Sequence, residues 1–146
     1  MKKMLILSLA LLTLGISSAQ ADNDRPIRID QLPAAAQQFI REYFPTQKTA
    51  YAKSERDFLD TTYEVVFVNS SKIEFTKGGE WKEVDCKYST VPAAIVPQQI
   101  AAYMKANFPD TEVVRIERDK RKYEVKLTNG LELTFDRNFA LVDIDD

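Results

Sequence analysis

Few side chains in this chain of 146 residues could carry out a reaction, because it contains no histidine and only one cysteine, Cys86. Without histidine, Ser-His-Asp and Cys-His activation and every His-containing metal site are excluded. Cys86 cannot form an intramolecular disulfide, and reads either as a reactive thiol or intermolecular bridge, or as a small half-buried strand residue. The second reading fits its place at the end of an alternating run. Asp57 with Asp60, and Asp143 with Asp145 and Asp146, are the paired carboxylates that could serve acid–base or cation chemistry. They lack the spacing of a calcium loop, and acidic loops and tails are commonly solvated. The sequence therefore assigns no catalytic residue, no metal ligand and no cofactor, and reads as a non-enzymatic protein.

Binding is the chemistry that remains. Tyr51, Val66, Val68 and Trp81 stand at alternate positions of apolar–polar runs, on the face expected to point away from the core. Tryptophan and tyrosine carry much of the energy at interfaces, and a monomer seldom leaves such a patch bare. Phe58 and Leu59 sit at an expected loop tip, where apolar residues are also unusual. These six residues are the candidate binding residues.

The elements that must position them are announced by a repeat. Residues 32–45 (LPAAAQQFIREYFP) return as 96–109 (VPQQIAAYMKANFP), a shift of 64 from Leu32 to Val96. In the first copy Ala36, Phe39, Ile40, Tyr43 and Phe44 fall at i, i+3, i+4, i+7 and i+8, the apolar stripe of a helix. Pro33 fits a first turn and Pro45 stops the helix. The second copy repeats the stripe with Ile100, Tyr103, Met104 and Phe108. After each helix the period changes to alternation. Tyr63-Glu64-Val65 matches Tyr123-Glu124-Val125 at a shift of 60, so the first half carries four extra residues, within 54–62. Asn69-Ser70 falls on Asn129-Gly130, a strong hairpin signal.

The expected fold is α+β: a tandem duplication of one helix plus four antiparallel strands, joined into one eight-stranded antiparallel sheet with both helices on one face. Strands are expected near 47–54, 62–69, 72–76 and 80–86, and near 111–118, 122–128, 131–136 and 139–144. Residues 27–86 and 91–146 form the two repeats of a single domain spanning 22–146, with 22–31 a loose lead-in tacked down by Ile27 and Ile29. Alternation assigns Ala50, Ala52, Tyr63, Val65, Phe67, Ile73, Phe75 and Val84 to the helix-covered face. In the second half it assigns Val114, Ile116, Tyr123, Val125, Leu127, Leu133, Phe135, Val142 and Ile144. The other face is mostly polar in the second half, with Leu141 as the exception.

Lys2 and Lys3, an apolar run to Ile16 and small residues ending at Ala21 have the layout of a secretory signal over 1–21. The run is too short to span a bilayer. A periplasmic or secreted protein is expected, cleaved near Ala21 and not integral to the membrane. The formal charge of −2, without a basic run, argues against nucleic acid as a partner. A protein or peptide of the cell envelope is the expected partner, through the outward face of the first repeat; self-association through the same patch is the competing use. An inhibitory role acting through 54–62 is the alternative.

The Phe-Pro ends of both helices, the two Tyr-Glu-Val runs and Gly79-Glu80-Trp81-Lys82-Glu83-Val84-Asp85 together resemble the β-lactamase-inhibitor-like, PepSY-like family of exported bacterial proteins. The resemblance covers roughly residues 27–146. It implies a tandem α-plus-four-strand fold with a concave sheet face and a binding or inhibitory role in the periplasm, and brings no catalytic residues.

Overall fold

The computed structural model describes residues 23–146, so the leader expected over 1–21 lies outside the described residues. In chain order the elements are β1 (Asp24–Ile27), α1 (Ala34–Tyr43), β2 (Thr49–Arg56), β3 (Thr61–Phe67), β4 (Lys72–Phe75) and β5 (Trp81–Asp85), followed by α2 (Gln98–Asn107), β6 (Val113–Arg118), β7 (Lys122–Leu127), β8 (Glu132–Asp136) and β9 (Leu141–Asp145). The strands form one antiparallel sheet in which each lies beside the next in sequence. The fold is α+β, as expected, but the sheet has nine strands rather than eight.

The added strand is β1, which pairs with β2 from Asp24↔Glu55 to Ile27↔Ala52. Pro26 masks it in the sequence. Proline cannot donate a ladder hydrogen bond and is tolerated only where one side of a strand is free, as on this edge. The strand has a partner because the four extra residues lengthen the β2–β3 hairpin instead of opening a loop. β2 runs to Arg56, β3 starts at Thr61, and the turn between them closes with the Asp57 N–H donating to the Asp60 carbonyl at 2.8 Å. Ile27 and Ile29 pack against the core, so the lead-in is built into the body.

Both helices begin directly after a proline, Pro33 or Pro97, and end at a phenylalanine. The Phe44 N–H closes on the Ile40 carbonyl at 2.8 Å and the Phe108 N–H on that of Met104 at 2.6 Å. The prolines that follow exclude a further helical turn. The aromatic stripes then anchor the helices to the sheet. Phe39 meets Phe75 edge-on at 5.7 Å, Phe44 stacks on Phe67 at 5.3 Å, and Tyr103 meets Phe135 edge-on at 5.4 Å. Such contacts each contribute about 1 kcal/mol beyond area burial.

Most of the expected inner set is buried: Ala52, Val65, Phe67, Ile73, Phe75, Val84, Ile116, Tyr123, Val125, Leu127, Leu133 and Phe135. Tyr63 packs partly against the core, and the exceptions apart from Ile144 trace to β-bulges, which set two residues against one and break alternation. Register shifts between Thr49 and Tyr51 and between Val113 and Arg115 make Ala50 and Val114 the extra residues. Ala50 is exposed, and Val113 takes the buried place expected of Val114. In β8–β9 the pairing jumps from Thr134↔Asp143 to Phe135↔Leu141. Leu141 therefore packs on the core, while Val142 is left exposed. Ile144 pairs with inward-facing Leu133 but lies on the edge strand and is also exposed.

Gly79 shows how closely the helix layer fits. Its φ is +90°, and a Cβ there would lie 2.9 Å from the Pro33 Cβ and 3.1 Å from the Ala36 nitrogen at the start of α1. Gly130 has a similar φ of +87° with open space around it. Gly130→Ala is expected to cost about 1–2 kcal/mol for the backbone conformation alone. Gly79→Ala should cost clearly more, because α1 must also shift. Urea unfolding of the two variants measures the difference, and equal losses would contradict this packing.

Candidate functional site

With both helices on one face, the other face of the sheet is open. Residues meeting across its strands form two rows. One runs Tyr51, Val66, Lys72, Asp85, Arg115, Lys126, Glu132, Asp145. It begins apolar and continues with mixed charge. The second begins at Lys53 and continues Glu64, Glu74, Glu83, Glu117, Glu124, then Thr134 and Asp143. Five adjacent strands thus place glutamates directly opposite one another, at a strand spacing of about 4.8 Å. Like charges in this arrangement destabilise a sheet unless something offsets them.

Basic side chains offset most of the row. Lys53 reaches Glu55 at 3.0 Å, Asp24 at 3.1 Å and Glu64 at 3.6 Å. The Glu55 and Asp24 carboxylates hold its ammonium above the ordinary lysine range. Arg115 donates its Nε to Glu83 at 2.9 Å, and also pairs with Glu117 and, at 3.4 Å, with Glu132. Lys122 pairs with Glu124 at 2.6 Å. Of the five glutamates in the row, Glu74 alone has no ion partner among the described residues. Burial pushes its carboxyl pKa up, Lys82 and Lys72 pull it down, and Glu83 and Glu55 push it up. Among the described residues no three His, Cys, Asp or Glu side chains converge as metal ligands would. The row is a charged strip along the sheet.

The six sequence-selected binding residues fall in three places. Tyr51, Val66 and Val68 lie together at one end of the open face; Tyr51 is 51 % and Val68 67 % exposed. Trp81 is not with them. A bulge shifts the pairing from Glu74↔Glu83 to Phe75↔Trp81, so the indole turns to the helix side, at the other end of the sheet, and packs partly against the core. Phe58 and Leu59 occupy the tip of the β2–β3 turn, 93 % and 89 % exposed. That turn is stiffened by Asp57 accepting from the Phe58 N–H at 2.7 Å and Asp60 accepting from the Thr61 N–H at 2.8 Å. Cys86 is buried, and burial pushes its thiol pKa up, which fits a packed strand residue rather than a nucleophile.

The glutamate row was missed from the sequence as a unit. Half of its register was legible: Glu64 and Glu74 stand five residues on either side of Asn69, so a hairpin there sets them opposite. The Glu83↔Glu117 pairing was not, since β5 and β6 are joined through α2 instead of a turn.

These features define a class: an α+β protein whose antiparallel sheet is covered by two helices on one face and carries an open, charged face on the other. The chain belongs to the family described as "Putative beta-lactamase-inhibitor-like, PepSY-like", whose model matches residues 61–143. Solved structures of relatives agree. A candidate periplasmic protein of the DUF2874 family from Bacteroides vulgatus is 52 % identical with a TM-score of 0.85, over 86 % of this chain and 99 % of that one. A candidate calcium-regulated periplasmic protein from Bacteroides thetaiotaomicron is 54 % identical with a TM-score of 0.84, over the same shares. A candidate periplasmic protein of unknown function from B. vulgatus is 40 % identical with a TM-score of 0.80, over 84 % and 99 %. No curated protein matches. Among the described residues no helix is long and apolar enough to cross a membrane.

A carboxyl group whose pKa rises on folding holds its proton more tightly in the folded state, so stability falls as pH rises through the carboxylate range. Glu74→Gln removes that loss. The variant should melt higher than the parent at pH 7 and show no gain at pH 3; a gain of equal size at both would contradict the burial of Glu74 as its cause.

Proposed function

We propose that this protein is a non-enzymatic periplasmic binding module that takes a protein or peptide segment across the open face of its sheet, and that the segment carries basic side chains. The observation that supports this most is the row from Glu64 to Glu124, in which Glu74 has acidic neighbours on both sides and no ion partner among the described residues. Tyr51, Val66 and Val68 add an apolar end to the same face, in keeping with the energy that tyrosine contributes at interfaces. Trp81 is not part of this surface. The reading takes export as given by the leader, cleaved near Ala21.

The same reading treats the two halves as copies of one unit. In its favour, bulges fall at Thr49/Tyr51 and Val113/Arg115 and at Glu74/Phe75 and Thr134/Phe135, and positive φ values recur at Ser70 and Gly130 and at Gly79 and Phe139. The calcium regulation ascribed to one relative finds no three-ligand group here among the described residues.

Octalysine serves as the probe. The mature protein should bind it in low salt and lose affinity steeply between 50 and 200 mM NaCl, because exposed charges are screened over about 10 Å at 0.1 M. Replacing Glu64, Glu74 and Glu124 together by glutamine should weaken binding at least tenfold, and Tyr51→Ala should leave octalysine binding nearly unchanged. Calcium should weaken it no more than another divalent chloride of equal ionic strength. Equal binding by the triple variant would sink the proposal.

A second reading has its own observation. Phe58 and Leu59 project from a turn closed by four hydrogen bonds, the kind of rigid apolar tip that can enter a cleft in an envelope enzyme. On this reading Phe58→Ser with Leu59→Ser abolishes inhibition without changing the melting temperature. A screen of envelope hydrolases in which none is slowed by the native protein would count against it.

A further inference from the structure

On the helix side, Trp81 belongs to a second cluster of side chains. Trp81 ends at the seam where β5 meets β6, and the Arg118 guanidinium lies over its ring, 3.8 Å from the centroid. The Arg118 Nε donates to the Trp81 carbonyl at 2.9 Å, which fixes the plane of the fork. Close by, the Arg137 guanidinium lies over the Tyr123 ring at 4.5 Å and donates one Nη1 bond to the Asp119 carbonyl at 3.1 Å. Both arginines line one cavity of about 540 Å³.

Neither guanidinium is ion-paired among the described residues, in contrast to Arg115 on the opposite face. Lys82 and Lys120 line the same cavity, again without a salt bridge. Among the described residues its two acidic residues form no ion pair with them. The Asp119 carboxylate is taken up by its own turn, accepting from the Arg121 and Lys122 backbone N–H groups at 2.6 and 3.0 Å, and Glu80 makes no ion pair. Arg118 is half-buried, and burial lowers its pKa; Tyr123 and Glu80 act in the opposite direction, and Arg137 lowers it further. Two forks are thus held rigid on aromatic faces, with N–H groups to spare and no counter-charge in contact. Arginine recognises planar oxyanions through this fork geometry.

We propose that the cleft formed by Trp81, Arg118 and Arg137 binds a carboxylate group. Carboxylate is favoured over phosphate because each fork lies flat on an aromatic ring, Trp81 or Tyr123, and so offers its edge to a planar pair of oxygens. The site is independent of the open-face proposal: it lies on the other side of the sheet and takes a ligand of opposite charge.

Trp81 is the only tryptophan in the chain, so its fluorescence reports on this cleft directly. The mature protein is titrated with acetyl-trialanine bearing a free C-terminus, with its C-terminal amide, with an amidated peptide of alternating alanine and glutamate, and with inorganic phosphate, all at fixed ionic strength. A saturable change is expected with the free-acid peptide, the glutamate peptide or both, which separates a chain terminus from an acidic side chain as the source. The amide should give none. Arg118→Lys and Arg137→Lys keep the charge but lose the fork, and should each weaken binding at least tenfold while circular dichroism shows the fold retained. Lysine variants that bind like the parent, no saturable change with either carboxylate, or tighter binding of phosphate than of both would each overturn the proposal. If either variant fails to fold, the comparison of both carboxylate peptides with the amide on the parent protein still decides it.

Discussion

The arrangement depends on how two acidic strands are held side by side at the seam between β5 and β6. Glu83 lies opposite Glu117 there, and Glu83 is almost fully buried. Bringing the two together without a counter-charge would destabilise the only ladder that joins the two halves of the sheet. Arg115, two residues before Glu117 on β6, answers both and reaches on to Glu132 of β8. One side chain thereby ties three strands on the open face, while Val84 and Ile116, fully buried at the same seam, pack beneath the helices. Removing Arg115 would leave the Glu83 carboxylate with Lys72 alone, at 3.9 Å, a loss that approaches the roughly 3–5 kcal/mol of a broken buried pair.

From that joint the two faces acquire different characters. The helix side is tied down by ring-on-ring contacts and excludes water, so its side chains are spoken for, apart from the arginine cleft at one end. On the open side the strand register alone decides which charges meet. On the proposed function, a surface built this way selects its partner by charge pattern and by the few apolar groups at its end, instead of by a deep pocket.

The helices were legible because their stripes, prolines and closing phenylalanines all mark the same boundaries. The hairpin strands were legible because alternation and turn residues agreed. Three things were not. Pro26 concealed an edge strand whose existence depends on the length of a neighbour. The bulges at Ala50, Lys82, Val114 and Val142 each turned a residue to the other face, and strict alternation cannot anticipate this. Lys82 mattered most, since it carried Trp81 off the surface to which alternation assigned it. The seam between β5 and β6 was also hidden, because nothing local to either strand specifies a partner across an intervening helix. The glutamate row and the arginine cleft both depend on that seam, so neither could be read from the chain.

The central claim, that the open sheet face is where this protein meets a basic partner, is tested most directly by following backbone amide signals during titration with octalysine. The account predicts progressive, salt-sensitive shifts at Glu64, Glu74, Glu83, Glu117 and Glu124 and their strand neighbours, with α1 and α2 unmoved. Shifts confined to the helices or to the β2–β3 tip, or none at low salt, would contradict it.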